Sequence, residues 1–322
     1  IKSGIIQITR IKGDQMKKIS IIGAGRVGES TAQLIAEQDL CKELMLIDIR
    51  EGIPQGVALD IQETAPLLGF DTRVNGCHQA DGVKGSDLVI ITAGLSRKEG
   101  MSRTDGLQAK IRNIDDIVQS IVKSAPDSIV LMVSNPVDAL TYEAFIRSGF
   151  DRHRILGQAG VLDSTRMASY IAMESGLSAK DIDAMVLGGH GDSMVPMIRF
   201  TTISGIGIEH LLDAGAIEDI VERIRNGGDE VLSLRKTSSA YDAPAAAITK
   251  MVDSIVHGRK RIMPAVAILQ GEYGLHDIAM GVPCVLGDRG VESIIELPLN
   301  AAEKKMFDES AAAIRKDIDS LK

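Results

Sequence analysis

Residues 19–28 read Ile19-Ser20-Ile21-Ile22-Gly23-Ala24-Gly25-Arg26-Val27-Gly28, and the reading of these ten positions decides the fold. The first four form a short β-branched run, which predicts a strand. Gly23–Gly28 fits G-x-G-x-x-G, and a helical stretch follows to about Glu37. A second apolar run, Leu44–Ile49, predicts the next strand and completes a βαβ unit. Asp48 stands 20 residues after Gly28, at the end of that strand. The glycine pattern alone is common; a strand before it, a helix after it and an acid at the next strand's end make it specific. The glycines permit a tight turn, close backbone approach to a pyrophosphate and close helix–strand packing. The helix start offers free N–H groups and partial positive charge to phosphates. Asp48 would accept hydrogen bonds from a ribose diol and repel a 2′-phosphate, which favours NAD over NADP as cofactor. Arg50, two residues on, is the opposing feature, since it could attract that phosphate.

Beyond this unit the alternation continues. Asp87–Thr92 predicts a buried strand, and Gly94–Gly106 a Gly- and charge-rich loop. Leu107, Ile111, Ile114, Val118 and Ile121 then recur at helical spacing, up to Pro126. Ser128–Val133 predicts another strand, broken by Asn135-Pro136. Strands alternating with helices imply a Rossmann-type, doubly wound parallel sheet over residues 16–158. Residues 159–322 are less regular and predict an α+β substrate domain: a helix from near Asp163, a strand near Ala184–Leu187, two helical stretches flanking Gly227-Gly228, a helix over Ala243–Val256, strands around Val282–Leu286 and Glu292–Glu296, and a last helix from about Asn300. The apolar helices around Ala32–Ala36 and Ala243–Val256 suit either core packing or subunit contact. Met16-Lys17-Lys18 reads like a natural start, so residues 1–15 are expected to be an added or upstream extension, with a processed targeting remnant as the alternative.

Composition narrows the function classes. The 322 residues carry 36 Lys plus Arg against 44 Asp plus Glu, a net charge of −8, which argues against a dedicated nucleic-acid binder. Aromatics are 3%, with no Trp, too few for base-stacking platforms. No apolar run approaches the roughly 20 residues that cross a bilayer. Cys41, Cys77 and Cys284 are far apart and form no CxxC pair, which fits a reducing cytoplasm and neither a disulfide scaffold nor a Cys-rich metal site.

Four polar segments stand out beside Gly or apolar sequence: Arg97-Lys98-Glu99-Gly100-Met101-Ser102-Arg103, Ser134-Asn135-Pro136-Val137-Asp138, Val161-Leu162-Asp163-Ser164-Thr165-Arg166 and Gly188-Gly189-His190-Gly191-Asp192. Taken singly, each has a plain reading. Loop arginines are usually solvated, an i,i+3 Asp–Arg pair is usually a surface ion pair, and a lone His is more often structural than catalytic. The five other histidines have no motif around them.

Taken together and in order, the segments resemble the lactate/malate dehydrogenase family, specifically its malate-type branch. The resemblance runs collinearly from about Met16 to the C-terminal helix. It implies hydride transfer between NAD and a 2-hydroxy or 2-oxo acid, here (S)-malate and oxaloacetate, an entry of the tricarboxylic acid cycle. It implies that His190 is the acid/base, that Asp163 holds its second ring nitrogen, and that Arg166 grips the C1 carboxylate. Arg103 corresponds to a mobile-loop arginine that polarises the C2 oxygen, with Gly94, Gly100 and Gly106 giving the loop freedom. Asn135 lies between cofactor and substrate oxygen. Arg97 stands where the lactate-specific branch typically has Gln, and reaches a second carboxylate. Cofactor contacts are implied at Gly23, Ala24, Gly25, Arg26, Val27, Gly28, Asp48, Lys110, Val133, Ser134 and Asn135. No metal is implied, and the branch forms homodimers and homotetramers.

The sequence departs from the family's pattern at Glu99, where Pro is usual, at Lys110, where many members have Asn, and at Ser238, where Gly is more usual. Three alternatives remain: another 2-hydroxy-acid dehydrogenase, a non-catalytic NAD sensor, and a fold-related glycosidase using NAD and a metal. The sensor would lack the His/Asp/Arg set, which is present, and the glycosidase would need a metal cluster, of which no HExxH or Cys-His motif is visible.

Overall fold

The computed structural model describes residues 16–94 and 103–320, with side chains from Ile111 onward in the second stretch. The first half alternates strand and helix: β1 (Lys18–Ile22), α1 (Arg26–Glu37), β2 (Glu43–Ile47), α2 (Ile53–Glu63), the one-turn α3 (Ala65–Leu68), β3 (Arg73–Cys77), β4 (Leu88–Ile91), α4 (Arg103–Ser124), β5 (Ile129–Met132), α5 (Val137–Ser148) and β6 (Ile155–Gly157). The second half comprises α6 (Gly160–Ser175), β7 (Ile182–Asp183), β8 (Val186–Gly188), β9 (Met194–Pro196), β10 (Thr202–Ile203), β11 (Ile206–Gly207), α7 (Ala214–Arg225), α8 (Gly227–Arg235), α9 (Asp242–Val256), β12 (Arg261–Gln270), β13 (His276–Gly287), β14 (Gly290–Ile294) and α10 (Ala301–Asp319).

Strands β3-β2-β1-β4-β5-β6 lie in that order, all parallel. All but the edge strand β3 (Arg73-Val74-Asn75-Gly76-Cys77) are nearly continuous apolar runs because both faces are covered. Alternate residues face opposite cores: Leu88 and Ile90 of β4 pack with α1 and α9, while Val89 and Ile91 pack with α4 and α5. The helical spacing noted on α4 places Ile111, Ile114, Val118 and Ile121 in the interior. Helices α1 and α9 pack against each other. Ala32, Ile35, Ala36, Ala245 and Ile248 are fully buried, so these apolar stripes are core.

The sheet does not stop at the end of the parallel half. β12 pairs antiparallel with β6, β13 with β12, β8 with β13 and β9 with β8, so one 11-stranded sheet, β14 included, crosses both halves. The short strand expected at Val282–Leu286 is the end of the twelve-residue β13, and β12 beside it, absent from the sequence reading, is its hairpin partner. Three expectations shift. The helix bearing Asp163 starts earlier, at Gly160. Gly227-Gly228 opens α8 instead of separating two helices, with Asn226 alone between α7 and α8. Gly106 belongs to α4, which starts at Arg103, so it is helical backbone and not part of a flexible loop.

At the β13–β8 contact, Gly281 faces Gly188. A Cβ built on Gly281 would lie 2.4 Å from the Gly188 carbonyl oxygen, so no side chain fits without parting the strands. Gly281→Ala is expected to destabilise the fold by about 1–3 kcal/mol, the usual range for overpacking. Urea denaturation of the variant beside the wild type measures this, and an unchanged midpoint would show that the two strands separate without cost.

Candidate active site

The glycine turn joins β1 to α1 at the carboxyl end of the parallel strands, next to the point where strand order reverses between β1 and β4. Gly23 has φ +111°, and a Cβ there would lie 2.7 Å from the Ala93 nitrogen. A Cβ on Gly28 would lie 1.9 Å from the Gly23 carbonyl oxygen, so only glycine lets α1 approach β1 this closely. Gly25 has open space where its Cβ would be, the room a pyrophosphate needs beside the helix's first N–H groups. Gly23, Gly25, Arg26, Val27, Gly28 and Asp48 line one cavity of about 610 Å³. The Ala24 N–H donates to Asp48 Oδ2 at 2.9 Å, tying the turn to the end of β2.

Arg50 is a partner of Asp48, not a free cation. Its Nε and Nη2 each donate to the carboxylate at 2.8 Å, and its backbone N–H donates at 3.0 Å. The Arg50 hydrogen bonds outweigh partial burial and hold Asp48 below the usual carboxylate range.

The cavity continues past residues the sequence reading did not single out: Thr92, Asn113, Ile117 and Ser239. Asn113 lies on α4 three residues after Lys110 and also borders the small space beside Ser134 and Asn135, so an amide is available on this helix although Lys110 replaces one. Spacing on α4 could have found Asn113; nothing in the sequence marks Ser239. The Ser134 hydroxyl donates to the Ala93 carbonyl at 2.6 Å, holding the end of β5 to that of β4. Arg26, at the head of α1, reaches across to the Tyr241 ring before α9, with its guanidinium carbon 5.6 Å from the ring centroid.

Around His190 three separate elements meet. His190 sits on the turn between β8 and β9, whose Gly188 and Gly191 have positive φ. Its Nδ1 lies 2.9 Å from Asp163 Oδ2, on the first turn of α6. A carboxylate only accepts, so Nδ1 carries the proton and Nε2 is left for a substrate. Asp163 is 2% exposed. Arg166, one turn on, reaches Asp163 Oδ1 at 3.4 Å, and Gly227 at the head of α8 packs on its stem. Burial alone would lower the imidazole's affinity for a proton. The charge and hydrogen bond of Asp163, with Asp138 behind it, outweigh burial and the opposing Arg166, and raise His190 above its ordinary value. This combination gives a proton donor and acceptor of fixed tautomer beside a cation suited to a carboxylate.

Val133, Ser134 and Asn135 follow β5 at the same end of the sheet. Arg103 and Lys110 are placed on α4 by their backbone. Arg97, Lys98, Glu99 and Gly100 lie outside the described residues. Asp138 was quoted within a motif but given no role; its Oδ2 accepts the His190 backbone N–H at 2.9 Å. A second cleft of about 670 Å³ opens at the opposite end of the parallel strands, around Lys17, Asp87 and Arg154, and contains none of these groups. Among the described residues no group of three His, Cys, Asp or Glu side chains is placed to hold a metal, and no helix is long and apolar enough to cross a membrane.

Comparison with known proteins agrees with this geometry. The lactate/malate dehydrogenase NAD-binding domain matches residues 17–157, and the lactate/malate dehydrogenase alpha/beta C-terminal domain matches residues 160–322. A malate dehydrogenase of Thioalkalivibrio sulfidiphilus is 61% identical over 307 residues, 95% of this chain and 100% of that protein. The solved malate dehydrogenase of Salinibacter ruber superposes with a TM-score of 0.90 at 43% identity, over 94% of this chain and 97% of that one. A Cryptosporidium parvum lactate dehydrogenase, solved with lactic acid and nicotinamide adenine dinucleotide, superposes with a TM-score of 0.90 at 35% identity, over 95% of this chain and 98% of that one. Matched along both halves by the models of one family and by full-length relatives, the chain belongs to the lactate/malate dehydrogenase family and takes NAD as its cofactor.

Proposed function

We propose that the chain is an NAD-dependent malate dehydrogenase that interconverts (S)-malate and oxaloacetate. The observation that carries this reading is the His190–Asp163 pair beside Arg166, tied through the His190 N–H to Asp138, three residues after Asn135. When bound, NAD accepts or returns the hydride of the substrate's C2. The protein's own groups do the rest. His190 Nε2 takes the C2 hydroxyl proton during oxidation and returns it to the carbonyl oxygen during reduction. Asp163 keeps Nδ1 protonated and compensates the imidazolium charge in between. Arg166 binds the C1 carboxylate through its two-pronged guanidinium, and Arg103 polarises the C2 oxygen. Asn135 positions that oxygen, and Arg97 pairs the second carboxylate. Asp48 selects NAD by receiving the ribose diol, for which Arg50 must release part of its hold. Residues 16–158 serve the cofactor and 159–322 the substrate.

We further read the protein as a cytoplasmic homodimer or homotetramer. The free thiols of Cys41, Cys77 and Cys284 fit a reducing compartment. Leu59, Leu67 and Leu68 of α2 and α3, 46–89% exposed, offer apolar surface to a second copy.

Steady-state oxidation of NADH with oxaloacetate beside pyruvate tests the substrate assignment directly; a preference for pyruvate would sink it. His190→Asn is expected to lower turnover by roughly 10²–10⁴-fold while NADH binding, followed by nicotinamide fluorescence, persists. Activity within a few-fold of wild type would remove His190 from the chemistry.

Arg97→Gln is expected to shift the ratio of kcat/KM values from oxaloacetate towards pyruvate by more than about 10²-fold. A dicarboxylate loses the partner of its second charge, and pyruvate no longer strands a guanidinium beside a methyl group. An unchanged ratio would mean that the second carboxylate is held elsewhere.

A further inference from the structure

Asp138 is the second residue of α5 and is 7% exposed. Its Oδ2 accepts the backbone N–H of His190, 52 residues away in sequence, at 2.9 Å. Its Oδ1 is buried with no hydrogen-bond partner among the described residues. An asparagine would supply the same acceptor to His190 without burying an anion, so a purely structural tie does not account for the carboxylate. With one oxygen unengaged, its charge is spent on few neighbours. The charged groups that act on it are the His190 imidazole on the β8–β9 turn and the Asp163 carboxylate on α6. Arg166 acts on the same imidazole from beyond Asp163, and α10 contributes the neutral Ser310 hydroxyl, which accepts the Gly189 N–H at 2.8 Å.

We propose that Asp138 is a positioning residue of this site: it ties the His190 main chain to the head of α5 and supplies the imidazole with a second negative charge. Asp163 fixes the ring and Asp138 fixes the backbone that carries it. The acceptor oxygen sets where the imidazole stands; the charge sets how firmly it keeps its proton. Burial pushes the Asp138 carboxyl up to about 6, against the pull of the His190 N–H and imidazole, so it is ionised through the neutral range and neutral in mild acid. The charge it supplies is therefore present where oxaloacetate reduction draws on a protonated His190. This role rests on the reading of His190 as the acid/base.

The test is a histidine NMR titration of the full chain with NADH bound, wild type against Asp138→Asn, with the His190 signal assigned by its loss in His190→Asn. The kcat/KM for oxaloacetate is followed over the same pH range. The amide keeps an acceptor and removes the charge, so the His190 midpoint is expected to fall by about 0.5–1 pH unit, and the alkaline limb of the rate profile to fall with it. Asp138→Ala removes the acceptor too and is expected to lose a further tenfold or more in kcat, roughly the effect of a small misplacement of a reacting group. If the alanine variant does not fold, Asp138→Leu, closer in size and likewise without an acceptor, carries the same comparison. A His190 midpoint unmoved in Asp138→Asn overturns the charge role. An alanine or leucine variant as fast as the asparagine one overturns the positioning role. A midpoint that falls while the rate profile stays put supports the charge role of Asp138 and overturns the reading of His190 as acid/base.

Discussion

The antiparallel pairing of β12 with β6 is the constraint on which the site depends. Val266 and Ala267 lie beside Gly157 and Leu156, and through this seam the parallel half and the antiparallel half become one sheet. The seam is tight. A Cβ on Gly157 would lie 2.6 Å from the Thr141 hydroxyl and 2.9 Å from Val266 Cβ, and one on Gly160 would lie 2.8 Å from the Val186 carbonyl oxygen. Gly281 against Gly188 repeats the arrangement two strands further out. These close approaches leave little freedom for the two halves to slide. His190, carried on the far side of the seam, can therefore be held within hydrogen-bond distance of Asp163 and Asp138. A catalytic group needs such support because small displacements cost large factors in rate.

Much of the parallel half was legible because its signals are local. An apolar run of four or five residues, a glycine turn and a helical stripe each announce themselves within a short window. The seam was not legible, because it is made by residues about 110 apart in sequence (Leu156 with Ala267) that share no pattern. β12 also contains Pro264, which weakens a strand reading, yet it sits in the pairing register with Pro283 of β13. The same contrast runs through the site. His190, Asp163 and Arg166 were identified through motif resemblance, which also implied the Asp163–His190 contact, and the structure brings that pair to 2.9 Å. Asp138 was in view but without a role, since an acid after Asn-Pro-Val reads as a helix-start residue; only the fold brings the His190 N–H to it. Gly106 went the other way, because a glycine near a charged loop suggests mobility while helix α4 had already begun.

Asp48 shows how a charge can be prepared for a ligand. Four donors converge on its two oxygens: the Ala24 N–H, the Arg50 backbone N–H, and the Nε and Nη2 donors of the Arg50 guanidinium. The Ala24 contact fixes the carboxylate relative to the glycine turn. The Arg50 side chain, 57% exposed, is the partner that solvent can most readily replace. On the reading proposed for Asp48, a ribose diol arriving there would exchange one set of donors for another, so the carboxylate would not be desolvated without a partner. The same guanidinium that covers Asp48 would otherwise offer a 2′-phosphate a counter-charge, so the ion pair restrains the feature of this sequence that speaks against NAD.

Burial of the Asp138 carboxylate works against the stability of the fold, and the sign can be followed through. Asp138 goes from an ordinary 3.8 to about 6 on burial. Between those values the folded chain binds a proton that the unfolded chain does not, so this group lowers stability as pH rises and at neutral pH costs about 3 kcal/mol. His190 is raised as well, so its contribution is complete below its unfolded value near 6.5 and is lost as pH rises through the folded one. Both groups make the fold more stable in mild acid than at neutral pH. A site arranged only for stability would replace Asp138 by a neutral acceptor. What the arrangement gains is an imidazole that keeps its proton more firmly than an ordinary one, beside the Arg166 cation, which suits the proton transfer to a carbonyl oxygen proposed for it.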